Sequence, residues 1–215
     1  MRPPFIIIGM HRSGTSILTK VLEKSGIFMG VVKDHNYEAM HFLSINQQVL
    51  WKSGADWHKP KVPEKLHWHE IPAQELFREH FRLNGRLAQL RQALRNEKWG
   101  WKDPRNTFTL DMWLANFPGA KVIHLLRNEE DVVASLQKRN ELNGEVFAPE
   151  LKDPTYCHQL CQDYVKQGRS FAQKLGDHYL ELEYEKLRAQ DSASIEALEK
   201  FTGLALKANF KKYLR

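Results

Sequence analysis

The sequence predicts an α/β protein, a central parallel β-sheet flanked by helices on both faces, and three observations carry that expectation. Apolar strand-like runs alternate with amphipathic helical patterns along the chain, which is the order that parallel sheets require. The first run, Phe5-Ile6-Ile7-Ile8, passes directly into a glycine-bounded polar loop and then a helix start. Lys121-Val122-Ile123-His124-Leu125-Leu126 is almost continuously apolar, as in a strand covered on both faces. At 215 residues and 42% hydrophobic content the chain is long enough for one such domain and too short for a second full one, so residues 1–215 are read as a single domain.

The elements follow in order. Three β-branched residues in the first run favour a buried strand. After the loop Gly9-Met10-His11-Arg12-Ser13-Gly14-Thr15-Ser16, Ile17, Leu18, Val21 and Leu22 recur at helical spacing, and Gly26 stops that helix. Ile27-Phe28-Met29 is a candidate short strand, and Gly30 to Tyr37 a polar loop over the mouth of the first one. A helix is expected from about Glu38 to Lys52, with Phe42, Ile45, Val49 and Leu50 inward. Residues 53–72 form an excursion punctuated by Pro60, Pro63 and Pro72, too rich in Trp and His to be a solvated linker. Leu76 to Asn96 reads as a long charged helix, and Trp99 to Lys102 as the second strand. Asp103-Pro104-Arg105-Asn106 is a turn, and Phe108 to Phe117 a helix stopped by Pro118-Gly119. The Lys121–Leu126 strand ends at Arg127-Asn128, and a helix from Glu129 to Arg139 follows. Asp153 to Leu175 is read as one long helix with a buried stripe of Cys157, Cys161, Tyr164, Gly168, Phe171 and Leu175. The two cysteines are read as core packing; a redox pair, or a metal site with His158, is the alternative. Tyr179 to Tyr184 alternates as a last strand, Ser192 to Thr202 is a closing helix, and the basic Lys207, Lys211, Lys212 and Arg215 are read as a frayed tail.

The loop after the first strand carries the chemistry. A strand, a glycine-bounded turn and a helix N-terminus together make an anion cradle, because the first N–H groups of the helix have no partner within it. The spacing from Gly9 to Gly14 fits a P-loop, and the expected architecture is a P-loop-like three-layer fold. Thr15 stands where a nucleotide-phosphate loop has its lysine, and the cation sits inside the loop, at Arg12. In a parallel sheet ligands bind beyond the carboxyl ends of the strands. Arg12, Lys102 and Arg127 each follow or end a different strand, so they are expected on one side.

Net charge is +6, which suits an anionic ligand without naming it: nucleic acid, an acidic polysaccharide and a nucleotide all fit. No run approaches a membrane span and no signal peptide is recognised, so the expectation is a cytoplasmic protein without stable membrane insertion.

These residues resemble the sulfotransferase superfamily that uses 3′-phosphoadenosine 5′-phosphosulfate (PAPS). Gly9 to Ser16 is similar to its 5′-phosphosulfate loop. Arg127-Asn128 with Asp131 and Ser135 resembles its 3′-phosphate segment. Trp101-Lys102-Asp103-Pro104-Arg105 with Thr107 resembles a Lys-Asp-Pro segment of the tyrosylprotein and bacterial branches, and Tyr184-Glu185-Lys186-Leu187 the Tyr-Glu-x-Leu segment. The resemblance spans Phe5 to about Leu204. It implies PAPS as cofactor, with 3′,5′-ADP as product, and His11, Arg12, Ser13, Gly14, Thr15, Ser16, Arg127 and Ser135 as binding residues. It further implies sulfuryl transfer to a hydroxyl or amine of a carbohydrate or small-molecule acceptor, with no nucleic acid partner. Arg12 and Lys102 would stabilise the charge on the departing nucleotide, and no metal is required. A general base is then needed. Glu38, in a segment resembling a bacterial Asn-x-Glu-x-x-x-Phe pattern that leads to a helix with Asn46, is the first choice, with His41 and Asp34 in reserve.

Two other readings remain open at this level. A nucleotide-dependent kinase with a degenerate loop predicts Mg²⁺ dependence and an acidic residue ending a strand, and none of the sheet strands is read as ending in aspartate. A non-catalytic polyanion-binding module predicts steep salt dependence, with the arginines of the 76–96 helix as its surface. His67-Trp68-His69 lacks a third ligand at a familiar zinc spacing. The aromatic and His-rich segment from Trp51 to His69 is expected to border the acceptor cleft, with Trp57 and Trp68 either stacking on a sugar or an arene or simply packing.

Overall fold

The structure is a computed structural model that describes residues 3–64, 98–141 and 148–213. The helix expected over 76–96, the pair His67 and His69 with Trp68 between them, and Arg215 lie outside the described residues.

Phe5–Ile8 forms β1, Gly100–Lys102 β2, Lys121–Leu126 β3 and Tyr179–Glu183 β4. They make one parallel sheet in the order β2-β1-β3-β4. Ile7 is level with Lys102 on one side and with Ile123 on the other. The chain therefore leaves β1 to build on both of its sides, and the strand order reverses at its carboxyl end. This is where a parallel sheet opens a ligand crevice.

Side chains alternate across β1 with the period of two that a strand imposes. Phe5 and Ile7 enter a cluster with Leu18, Val21 and Leu22 of α1 (Thr15–Lys24). Ile6 and Ile8 enter the opposite cluster, with Phe42, Ile45 and Val49 of α2 (Met40–Lys52) and Leu110 and Trp113 of α3 (Asn106–Asn116). The helices thus lie on both faces, as the continuous apolarity of β1 and β3 requires. A third cluster joins α4 (Glu129–Glu141) to α5 (Pro154–Arg169) through Val132, Val133, Leu136, Cys157, Cys161 and Tyr164. The chain closes with α6 (Tyr184–Arg188), α7 (Ser192–Thr202) and α8 (Lys207–Tyr213).

Three expectations are corrected. The long helix read over 153–175 ends at Arg169; Phe171 turns into the core and Ala172–Leu175 is a separate short turn of helix. Lys207, Lys211 and Lys212 do not lie in a frayed tail but in α8: Leu206 and Phe210, one turn apart, are buried, and the Glu199 carboxylate accepts the N–H groups of Leu206 and Lys207. Ile27-Phe28-Met29 contributes a single parallel bridge, Phe28 to Trp99, at the outer edge of β2.

Candidate active site

The glycine loop is held flat against the carboxyl edge of the sheet. Gly9 has φ +135° and its N–H donates to Thr107 Oγ1 at 3.2 Å. Gly14 has φ +89° and begins α1, and no side chain caps the first turn. The N–H groups at that helix start are therefore left for a ligand, where the dipole is positive. A Cβ on Gly14 would fall within the ring of Tyr184, so only glycine lets the loop lie this close to the end of β4. Arg12 takes φ +69°, a left-handed conformation uncommon for residues other than glycine. It carries the side chain across to α4, where its Nε donates to Ser135 Oγ at 2.9 Å.

Arg127, directly after β3, donates from one guanidinium nitrogen to the Arg12 carbonyl at 3.0 Å and lies over the Tyr184 ring at 5.1 Å. Its contact with Asp131 is 3.4 Å long, to a carboxylate that is about half exposed, and its buried Nε has no partner. The two anion sites expected from sequence are thus in contact, sharing Arg12, Arg127 and Ser135. Arg139, one turn beyond Ser135, lines the same cleft and was not anticipated. Its signal was legible: residues 131, 135 and 139 of α4 fall at intervals of four and share one helical face. Burial, then Arg139 and Arg127, loosen the Arg12 guanidinium's hold on its proton below the ordinary arginine value. Clustered cations of this kind call for an anion between them.

On the other wall Glu38 and Lys102 meet. Lys102, fully buried at the end of β2, donates to Glu38 Oε1 at 3.0 Å. Arg105 donates to Glu38 Oε2 at 3.1 Å and to Asp103 Oδ1 at 3.0 Å. Burial pushes the Glu38 carboxyl above the usual carboxylate range and Asp103 adds to this, while Lys102 and Arg105 pull it down. Burial disfavours the Arg105 charge, yet Asp103 and Glu38 hold its proton more tightly than usual. Glu38 was expected at the start of a helix, but α2 begins at Met40, so its side chain answers to β2 and not to a helix dipole. β2 ends in Lys102, as expected, and Asp103 directly follows it, with one oxygen on Arg105 and the other on Asn46.

His11, Arg12, Gly14, Thr15, Ser16, Glu38, Lys102 and Arg127 all line one cleft of about 190 Å³, in which Arg139 adds a fourth cation against the Glu38 carboxylate. Ser13 is buried beneath the loop, outside the cleft lining, and its hydroxyl has no partner. Of the reserves for the base, Asp34 is turned inward to accept the N–H groups of Asn36 and Glu38, at 2.9 and 2.7 Å, and His41 packs edge-on against Phe42. Trp57 does not border the cleft; it is buried with its ring 4.6 Å from that of His11. Cys157 and Cys161 pack in the third cluster, where burial pushes the Cys161 thiol up to about 12 and raises Cys157, and the His158 ring is bonded to Glu129.

A parallel sheet with an arginine-bearing glycine loop at its switch point defines an α/β protein with a cation-lined cleft at the carboxyl edge of its sheet. The model of the Sulfotransferase family matches residues 3–208, and the chain belongs to that family. Similar solved structures include the sulfotransferase domain of the curacin biosynthetic pathway, at 16% identity over 98% of this chain and 77% of that one, with a TM-score of 0.63. The sulfotransferase domain of the Synechococcus PCC 7002 olefin synthase gives 16% identity, 97% and 76% coverage and a TM-score of 0.61. A sulfotransferase from Alicyclobacillus acidocaldarius gives 16%, with 96% and 83% coverage and a TM-score of 0.56. At these identities the likeness is one of fold. No curated protein matches the chain significantly. Among the described residues no helix is long and apolar enough to cross a membrane.

Proposed function

We propose that the protein transfers a sulfuryl group from PAPS to a hydroxyl or amine of a small-molecule or glycan acceptor. The observation that carries this is the joining, in one cleft, of an uncapped helix start, Arg12 and Arg127, with Ser135 holding Arg12 from outside the cleft lining, and the Lys102–Glu38 pair. The residues fit the donor on three counts. The first turn of α1 offers free N–H groups, Gly14 leaves no room for a side chain above Tyr184, and the buried Arg127 Nε has no partner. Arg12, the α1 start and Lys102 would hold the phosphosulfate end; Arg127, Ser135 and Arg139 would hold the 3′-phosphate end. A planar guanidinium grips a phosphate through two nitrogens, which suits Arg127 to that task.

PAPS, when bound, supplies a sulfuryl group that passes to the acceptor as its bond to the nucleotide phosphate oxygen breaks. Glu38 would take the acceptor proton. Each of its oxygens accepts one bond from a cation and keeps a second lone pair free. A raised carboxyl is the better proton acceptor near neutral pH, provided it stays ionised. Lys102, bonded to Glu38 before the reaction, lies beside the loop where negative charge develops. Loss of such a donor costs about a hundred- to a thousandfold in rate.

The test is turnover with ³⁵S-labelled PAPS across a panel of phenolic, alcoholic and amine acceptors, for the wild type and Glu38→Gln. Glu38→Gln is expected to lose turnover while its affinity for 3′,5′-ADP stays within about threefold. Retained turnover would move the base elsewhere.

A further inference from the structure

We propose that Asp103 keeps Glu38 able to accept a proton, by taking up the charge of Arg105 so that Glu38 faces one net cation, Lys102, and not two. The inference rests on the reading of Glu38 as the base and assigns Asp103 a positioning and tuning role; Asp103 lies outside the cleft lining.

Asp103 is fully buried. Its Oδ1 accepts the Arg105 backbone N–H and the Arg105 guanidinium, both at 3.0 Å, and its Oδ2 accepts from Asn46 Nδ2 at 2.8 Å. Donors alone point at it, which is the pattern of an ionised carboxylate. Asn46 fixes it in place. Its amide nitrogen also donates to Asn106 Oδ1 at 2.8 Å, and its oxygen accepts from Thr109 Oγ1 at 2.7 Å and from Trp113 Nε1 at 2.8 Å. All four positions of a completely buried amide are satisfied, so Asp103 has one orientation.

The same nitrogen of Arg105 bonds both carboxylates, which places Asp103 and Glu38 within about 6 Å of each other, the range in which like charges shift titration strongly. The Arg105 Nε is in turn held by Gln47 Oε1 at 2.9 Å, so the guanidinium cannot swing wholly to Glu38. The cluster is two carboxylates against two cations. Without the Asp103 charge, Glu38 would be an acid clamped between Lys102 and Arg105, and a poor base. None of the other groups facing Glu38 adds a cation to this balance. Asp34, in its own loop, adds to the upward push. Tyr164 of α5 and His11 of the glycine loop are both kept neutral, since burial raises the phenol far above its ordinary value and lowers the imidazole well below its own.

The experiment follows the Glu38 side-chain carboxyl carbon in the full chain labelled with ¹³C-glutamate, assigned by its disappearance in Glu38→Gln, as pH is varied. Asp103→Asn is expected to lower the midpoint by about 1–3 pH units. Asp103→Ser, whose hydroxyl still accepts the Arg105 N–H, is the second neutral variant and moves the midpoint the same way. Arg105→Gln moves it up. A purely structural role for Asp103 would not produce shifts of opposite sign from two bonded partners. A midpoint unmoved in both Asp103 variants, or raised in them, overturns the proposal. Turnover of Glu38→Gln decides separately whether Glu38 is the base, so the two failures are distinguishable.

Discussion

Arg12 adopts a backbone conformation that glycine usually takes, at a cost on the order of 1 kcal/mol, and the cost has a visible return. The left-handed turn brings its guanidinium to Ser135 and its carbonyl to Arg127. The sequence marked all three residues but treated them as two sites; the positive φ that joins them has no signature in a residue type that seldom adopts it. Lys102 and Glu38 were also marked, whereas Arg105 and Asp103 passed as turn residues, since nothing local says that a turn side chain reaches a carboxylate 67 positions away. At this scale the reading makes a sharp prediction. Arg127→Ala removes charged hydrogen bonds to a phosphate, worth about 1.5–3 kcal/mol, so Kd for 3′,5′-ADP should rise roughly ten- to a hundredfold. Calorimetry with 5′-AMP, which lacks the 3′-phosphate, should show little change in the same variant. An equal loss for both nucleotides would mean that Arg127 does not read the 3′ end.

At the scale of elements, hydrophobic period located most strands and helices to within a residue or two, and its failures share a cause. The 153–175 stripe kept its period past Arg169, but Phe171 is needed in the cluster under α3, so the backbone turns there. The tail after Thr202 showed its lysines more plainly than its two buried apolar residues. Gly168 illustrates an element-level constraint that sequence could not reveal. It lies inside α5, where alanine would ordinarily favour the helix by about 1 kcal/mol. Here an added Cβ would sit 2.5 Å from the buried His124 ring, itself held by Tyr179 at 2.6 Å. Gly168→Ala should therefore destabilise the fold by about 1–3 kcal/mol, read as a lower midpoint in urea with an unchanged slope. A stabilised variant would show that α5 shifts freely on the sheet.

At the scale of the whole molecule, the sheet order explains why residues far apart in sequence share one cleft. β1 is central, β2 and β3 flank it, and the loops after all three open on one side. Strand-terminal cations on an apolar sheet were the part of the site most legible in advance, because ligands of a parallel sheet bind beyond the carboxyl ends of its strands. The net charge of +6 is a weaker guide than the gathering of four cations, Arg12, Lys102, Arg127 and Arg139, in one cleft. The central claim is that this gathering is matched to a nucleotide phosphorylated at both ends, and thermal unfolding tests it with the protein as it stands. At a hundredfold excess over its dissociation constant, 3′,5′-ADP should stabilise the fold by about 2.7 kcal/mol and raise Tm accordingly, while Mg·ATP at the same concentration should do far less. A Tm shift with Mg·ATP and none with 3′,5′-ADP would contradict the account.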